Sequence, residues 1–467
     1  MRGAAIGIAW VALAAAVRLP AMGSQLWLDE VWTLTVVAKL PGALAVLTDF
    51  KHSNNHPLLS LWMLALGSHR SPFLYRIPSY LAGLACVWLA WRLGARGGRR
   101  EATVAASLAA FSSLLVHYAS EARGYELAIA AGLASFSGVA RVLDGRRRSG
   151  ALVIAASAAL GLLAQLLYLE ALAGAAAWLA LALWRRRGDP RRAFAESAAA
   201  LAPAALVAAV LVLVVYRGME LGGGEAYRLD AVLLRAFSHA AGGPSTGPLA
   251  LAAAAGFAAA SIAGLRALAA AGRDEWLGYL VAAFVAPAVL LAATRPETLP
   301  VRWFVLPIAF AYLAVAAWLA KAIDAPDWRR GAAIAALIAF AAGNAYRIAL
   351  LARDGRGDYR AAVRFLAEHE ASAEIHVGSD HDFRNRLLLE YYGSELPAGR
   401  TIVYVPQIRK RASWPPWVLA HRYGVQPDAP DAITDPGGRV YETAQKWPSS
   451  DLSGFRWTLY RRAGAKP

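Results

Sequence analysis

The sequence predicts an all-α polytopic membrane protein of about eleven transmembrane helices, followed by a small C-terminal α/β domain. Three observations predict it. Apolar residues make up 58% of the 467 residues, and mean hydropathy is +0.40. They come in runs near the roughly 20 residues a helix needs to cross about 30 Å of hydrocarbon, whereas a soluble core shows shorter runs with helical or alternating periodicity. The arginines sit in bursts between those runs: Arg92, Arg96, Arg99 and Arg100; Arg146, Arg147 and Arg148; Arg185, Arg186, Arg187, Arg191 and Arg192; Arg329 and Arg330. From about residue 351 the chain turns polar and alternating.

The charge pattern also excludes a class of partner. A net charge of +16 could mark a nucleic-acid binder. The bursts instead fall where basic loops hold the cytoplasmic side of a membrane protein, so no nucleic-acid partner is expected. Cys86 is the single cysteine and lies in an apolar run, so no intrachain disulfide forms. One basic residue, Arg2, precedes the first run, and Arg18 interrupts its far end. That run reads as a retained helix rather than a cleaved signal peptide.

The elements follow in order. The first span covers roughly 3–22, from a cytoplasmic N-terminus. An outer loop, roughly 23–71, contains an apolar run at 57–67 that is too short to span and reads as interfacial. The next spans are 72–93, 102–119 and 125–143, with an outer turn at Ser120, Glu121, Ala122 and Arg123. Spans 151–168 and 171–184 form a hairpin turning near Glu170. Span 195–216 rises into a glycine-rich outer loop, 217–247, and spans 248–266, 277–293, 303–320 and 331–350 complete the set. Every basic burst then falls on one side. The expected domains are 1–350, transmembrane and including loop 23–71, and 351–467, soluble and outside the cell inner (plasma) membrane. Within 351–467 a helical stretch at 358–370 and alternating stretches at 374–378 and 401–405 read as helix and strands.

Ionisable residues at the outer boundary carry the chemistry, because such positions are costly and usually paired or functional. Asp29 and Glu30 stand between Trp27 and Trp32. Adjacent carboxylates point in different directions on most backbones, so one can act as a base while the other orients it or binds a hydroxyl or cation. The plainer reading is a solvated loop between interfacial tryptophans. Glu121 and Arg123 lie between two spans with almost no loop; the plainer reading there is an ion pair capping a turn. His56, Arg76 and Arg302, with Lys51 behind them, are cations on the outer side, against the positive-inside bias. Arginine suits bidentate phosphate binding, and snorkelling to headgroups is the alternative. Gly222-Gly-Gly224 lacks the lysine and strand–helix context of a phosphate loop. The nine histidines show no metal-ligand spacing, and Glu170 reads as a helix cap.

In order along the chain these residues resemble the GT-C glycosyltransferases, in the branch of protein O-mannosyltransferases and aminoarabinose transferases. Asp29-Glu30 is similar to that family's acidic pair after the first span. His56-Pro57-Leu-Leu is similar to its HPPL or KPPL segment, and Phe73-Leu-Tyr-Arg76-Ile-Pro78-Ser79 to its ARLPS span start. Ser120-Glu-Ala-Arg123-Gly-Tyr125 resembles QEARMY, Val301-Arg302-Trp-Phe-Val-Leu-Pro307 resembles RYLLP, and Asp358-Tyr-Arg360 resembles DWR. Each motif is short, but their ordered combination covers roughly 1–370. The sequence departs from the pattern in having one proline after His56, glycine at 124 and tryptophan at 303.

The resemblance implies a GT-C fold and inverting transfer of a hexosyl or pentosyl group from a polyprenyl-phosphate sugar to a lipid, glycan or protein acceptor. Asp29 would be the general base, with Glu30 and Glu121 supporting it or binding substrate. His56, Arg76, Arg123 and Arg302 would stabilise the leaving phosphate. Some relatives hold a divalent metal ion, which here would lie near Asp29 and Glu121; the sequence leaves metal dependence open. The competing class is a lipid-linked-sugar transporter or flippase. Such a protein should show inverted repeats and broken helices near mid-membrane, and the sequence displays neither.

Overall fold

A computed structural model describes residues 2–220, 222, 228–296 and 298–464. Gly223 and Gly224 of the glycine-rich loop lie outside the described residues. Contacts divide the chain into two units: Met1–Met22 with Val37–Ile348, and Gly23–Val36 with Ala349–Pro467.

The first unit is helical. The chain opens with α1 (Arg2–Met22), α2 (Leu28–Val37), α3 (Ala43–Thr48), α4 (Pro57–Leu66) and α5 (Pro72–Gly94). Then come α6 (Arg99–Phe111), α7 (Ser113–Ala119), α8 (Tyr125–Leu143), α9 (Arg147–Ala164), α10 (Tyr168–Arg187) and α11 (Pro190–Leu211). After α12 (Leu229–Ala240) and α13 (Pro248–Ala270), α14 (Glu275–Leu280) and α15 (Ala286–Thr294) flank a π turn, and α16 (Val305–Ile323) and α17 (Trp328–Asp354) follow. Proline opens α4, α5, α11 and α13 at the first turn, where its missing N–H costs nothing.

Nine described helices are long and apolar enough to cross a membrane, or ten if one bent pair counts as a single span. About eleven were expected. The difference is α10, 20 residues long, which carries Glu170 in its first turn and Arg185, Arg186 and Arg187 in its last. Small residues let the helices close on one another. A Cβ on Gly264 would lie 2.0 Å from the Ala314 carbonyl oxygen, and one on Gly174 2.6 Å from that of Gly278. The apolar stretch of α16 is 89% buried, against 17% for those of α11 and α17, so α16 is the interior helix and the other two leave most of their surface for lipid.

The 102–119 run, expected to be one continuous span, is broken. Its halves, α6 and α7, meet at 58°. A break inside a membrane frees backbone groups that need new partners. Arg18 donates to the Ala109 and Ala110 carbonyls at 2.9 and 3.0 Å. The Ser113 N–H donates to Asn344 Oδ1 at 2.6 Å, and the Leu115 N–H reaches the Ser112 hydroxyl at 3.4 Å. Arg18, which interrupts the first apolar run, thus closes the end of a neighbouring half-span.

The second unit holds a six-stranded sheet of β1 (Glu374–Ser379), β2 (Thr401–Val405), β3 (Trp417–Arg422), β4 (Ala432–Thr434), β5 (Val440–Trp447) and β6 (Arg456–Arg462). The order is β2-β1-β3-β6-β5-β4. β1 runs parallel to β2 and β3, and the remaining pairs are antiparallel. The helices α18 (Tyr359–His369) and α19 (Asp382–Gly393) accompany it. The stretches expected at 358–370, 374–378 and 401–405 are therefore α18, β1 and β2.

Contacts group residues 23–36 with this unit, not with the transmembrane helices among which loop 23–71 was expected. Hydrogen bonds supply the reason. Tyr392 donates its hydroxyl to the Leu26 carbonyl at 2.7 Å. Gln25 donates to Asp358 at 2.5 Å and accepts from the Arg360 N–H at 2.9 Å. Arg356 donates to the Ser24 hydroxyl at 2.9 Å, and Trp32 meets Phe383 edge-on at 5.0 Å. The Asp358-Tyr-Arg360 motif supplies much of this joint, and Asp358 also caps α18 through the Ala361 N–H.

Candidate functional site

In the helical unit the site gathers at the turn between α7 and α8. Gly124 permits it. A Cβ there would fall 1.9 Å from the Ala164 carbonyl oxygen and 2.8 Å from His56 Nδ1. Glycine at 124 is thus required by space, not by backbone angle. The His56 Nδ1 hydrogen bonds the Ala164 carbonyl at 2.9 Å, and its ring packs edge-on against Tyr125 at 5.0 Å.

That bond fixes the histidine's chemistry. A carbonyl only accepts, so Nδ1 carries the proton. Burial, reinforced by Arg123 and Arg302, holds His56 well below the ordinary histidine range, against the pull of the Ala164 carbonyl and Glu121. The neutral ring then has a lone pair on Nε2, which is buried and has no hydrogen-bond partner among the described residues. Such a ring accepts from a hydroxyl, and offers a phosphate oxygen no donor at that atom.

Charge is supplied by the neighbours. Arg123 is buried and donates to the Asn54 carbonyl and side-chain oxygen at 2.9 and 2.6 Å. Its own carbonyl accepts from the Ser79 hydroxyl at 2.9 Å, which ties the turn to α5. Glu121 is buried and lies 3.1 Å from His117 Nε2. Arg302, half-buried in the short turn Val301–Phe304 before α16, lies within electrostatic reach of both His56 and Tyr118. His56, the Glu121–Arg123 turn and Arg302 are thus brought together from three chain segments. Arg76 is fully buried on α5 and donates to the Met22 carbonyl at the end of α1, at 3.0 Å. Lys51 donates to the Val214 and Val215 carbonyls at 2.8 Å each, closing the end of the span that α11 begins.

The acidic pair lies in the other unit. Asp29 and Glu30 occupy the first turn of α2, where the helix dipole favours carboxylates. Glu30 reaches back to the Trp27 N–H at 3.2 Å, the reciprocal half of a capping box. Both carboxylates are buried, and Glu30 binds its own helix end. Among the described residues no group of three or more His, Cys, Asp or Glu side chains gathers as a metal site would require.

Sequence reasoning missed Asn54, Asn55 and Arg235, and named Ser79 only as the end of a motif. Asn55 donates to the Val46 and Phe50 carbonyls at 2.8 and 3.0 Å and accepts from Ser60, which shapes the loop that carries His56. Arg235 on α12 lies within electrostatic reach of Tyr118. Nothing in the spacing of these residues marked them; only His-adjacent asparagines at a membrane edge offered a signal.

Two solved structures are similar to this chain. One is ArnT from Cupriavidus metallidurans in the apo state, 12% identical, with a TM-score of 0.49, covering 97% of this chain and 97% of that one. The other is ArnT from Cupriavidus metallidurans bound to undecaprenyl phosphate, 11% identical, with a TM-score of 0.49, covering 98% of this chain and 99% of that one. No family model matches the sequence, and no curated protein does. At such identities no residue's role passes from one chain to the other.

Proposed function

We propose that the protein is a membrane glycosyltransferase that moves a sugar from a polyprenyl-phosphate donor onto a lipid, glycan or protein acceptor at the outer face of the membrane. The observation that carries this reading is the cluster of buried Arg123, Glu121 and His56 with half-buried Arg302 at span ends. Arginine forks at this depth suit a phosphate carried on a lipid. The ordered motifs of the sequence support the same class. In this scheme Arg123 and Arg302 take the charge that develops as the phosphate leaves. The lone pair of His56 Nε2 accepts from a sugar or acceptor hydroxyl, Glu121 binds substrate, and Arg76 positions the start of α5. Asp29 removes the proton from the acceptor hydroxyl, and inversion follows from attack opposite the leaving phosphate. The N-terminus is cytoplasmic and the sheet unit outside.

A second reading, a lipid-linked-sugar transporter, draws on the 58° break between α6 and α7, a feature of transporter binding sites. One experiment separates the two. Purified protein is given labelled polyprenyl-phosphate sugars against a panel of lipid, glycan and protein acceptors. The transferase consumes donor and labels an acceptor, and Asp29→Asn lowers that rate about 10²- to 10⁴-fold while donor binding persists. Donor that crosses a bilayer unconsumed, with no acceptor labelled, would support the transporter and end the transferase reading.

A further inference from the structure

At the ends of α8 and α9 opposite the proposed site, four helices line a cavity of about 600 Å³. Its walls come from the end of α8 (Val142, Leu143), the start of α9, the end of α10 and the first half of α11. Arg147, Arg148, Arg186 and Arg187 line it, against the single carboxylate of Glu196. The rest of the lining is apolar, with Ala195, Ala199 and Leu183 among it. Phe194 is 75% exposed and Leu152 68%, next to lining residues on α11 and α9. Helices of this bundle that expose such side chains face hydrocarbon, so the cavity has a charged end at the membrane boundary and an apolar side toward acyl chains.

The charges are arranged at some cost. Arg147 and Arg148 stand in the first turn of α9, where the dipole disfavours cations, and that turn holds no acidic residue and no side-chain cap. Glu196 reaches only part of the cluster, pairing with Arg147 at 2.8 Å and Arg187 at 3.2 Å. Arg186 donates to the Leu143 carbonyl, which points its guanidinium across the gap between α10 and α8. Arg148 has no ion pair among the described residues. Topology alone requires basic residues on this side, but not four of them around one cavity that opens to lipid.

We propose that this cavity binds the phosphate of an anionic phospholipid, with an acyl chain along its apolar side. The phosphate accepts from Arg148 and Arg186 and from the free N–H groups at the start of α9, and so joins α8, α9, α10 and α11 at one end. This is independent of the transferase reading, since none of these residues belongs to that site.

The test uses the full chain, delipidated in neutral detergent. Bound lipid is counted by native mass spectrometry, and thermal unfolding is followed with phosphatidylglycerol, phosphatidylcholine or inorganic phosphate added. Phosphatidylglycerol should bind and raise Tm, the other two should not, and Arg148→Gln with Arg186→Gln should weaken binding at least about tenfold. Glu196→Gln, which removes the competing carboxylate, should strengthen it, so the proposal remains testable if the double variant folds poorly. Equal stabilisation by phosphatidylcholine would overturn the proposal, and so would an equal effect of inorganic phosphate, which would make the occupant a free anion. Unchanged lipid affinity in either the double variant or Glu196→Gln would do the same.

Discussion

Replacing Gly124 by alanine is a one-atom change that should strike the site directly. The backbone at Gly124 has φ −77 and ψ 0, which alanine can adopt, so no dihedral strain enters. Space is the difficulty. The new Cβ would sit 1.9 Å from the Ala164 carbonyl oxygen, and real Cβ contacts are essentially never under 3.0 Å, so that carbonyl must retreat by about 1 Å. The retreat breaks the 2.9 Å bond from His56 Nδ1. Overpacking of this kind costs about 1–3 kcal/mol, and a buried donor left unmatched costs about 1–3 kcal/mol more. The lower entropy of the unfolded alanine chain returns only about 0.4–1 kcal/mol. A net loss of about 1–5.6 kcal/mol should appear as a lower Tm by tryptophan fluorescence in detergent, together with weaker donor binding. Gly256 on α13 is the control, because a Cβ there meets nothing within 4 Å. Gly256→Ala should be neutral or stabilising. If Gly124→Ala is as stable as Gly256→Ala, the close approach of α9 to the turn is wrong, and the placement of His56 with it.

The remaining predictions address charge, pH and topology. Arg302→Ala should weaken donor binding roughly ten- to a hundredfold with little loss of Tm, and Arg302→Lys should recover only part of it; unaltered binding would remove Arg302 from the phosphate. Arg123→Ala should cost stability as well, because both oxygens of Asn54 lose their donor, and a variant that keeps full Tm would contradict that bond. His56 is held below its ordinary value, so near pH 6 the unfolded chain binds more protons than the folded one. Its contribution is fully present above about pH 6.5 and is lost as pH falls; His56→Gln should flatten the acid side of the stability curve, and an unchanged slope would mean that the ring titrates normally. Reporter fusions after Arg148 and after Arg360 should report opposite sides of the membrane, and same-side readings would undo the proposed orientation.

The sequence displayed what depends on composition and hid what depends on distant partners. Runs of apolar residues gave α1, α5, α8 and α16 nearly to the residue, because burying an apolar stripe and spanning lipid both leave a count in the sequence. The break at Ser112 left none. Ser112-Ser113 sits in an apolar run, and the groups that make the break tolerable, Arg18 and Asn344, lie about 90 and 230 residues away. His56, Glu121, Arg123 and Arg302 were legible because charge at a membrane edge is costly. Asn54 and Asn55 were not, since an asparagine in an outer loop is unremarkable until its carbonyl partners are known. Glu30 was read as a partner in chemistry beside Asp29. The capping bond to Trp27 shows why two neighbouring carboxylates need not share a task.

The membership of residues 23–36 in the sheet unit also bears on the order in which the protein is made. The acceptors for Tyr392, Arg356 and the Arg360 N–H leave the ribosome early, while their partners are still more than 300 residues from synthesis. At roughly 5–20 residues per second, the segment bearing Asp29 waits about 20 to 90 s for the chain that completes its unit. Closing so long a loop adds little entropy beyond a shorter one, but it raises contact order and slows assembly. During that interval Leu26 and Trp27, both buried in the finished protein, lack the sheet unit that covers their segment. The surroundings of the acidic pair are therefore among the last features to be built, after the apolar helices of the first unit.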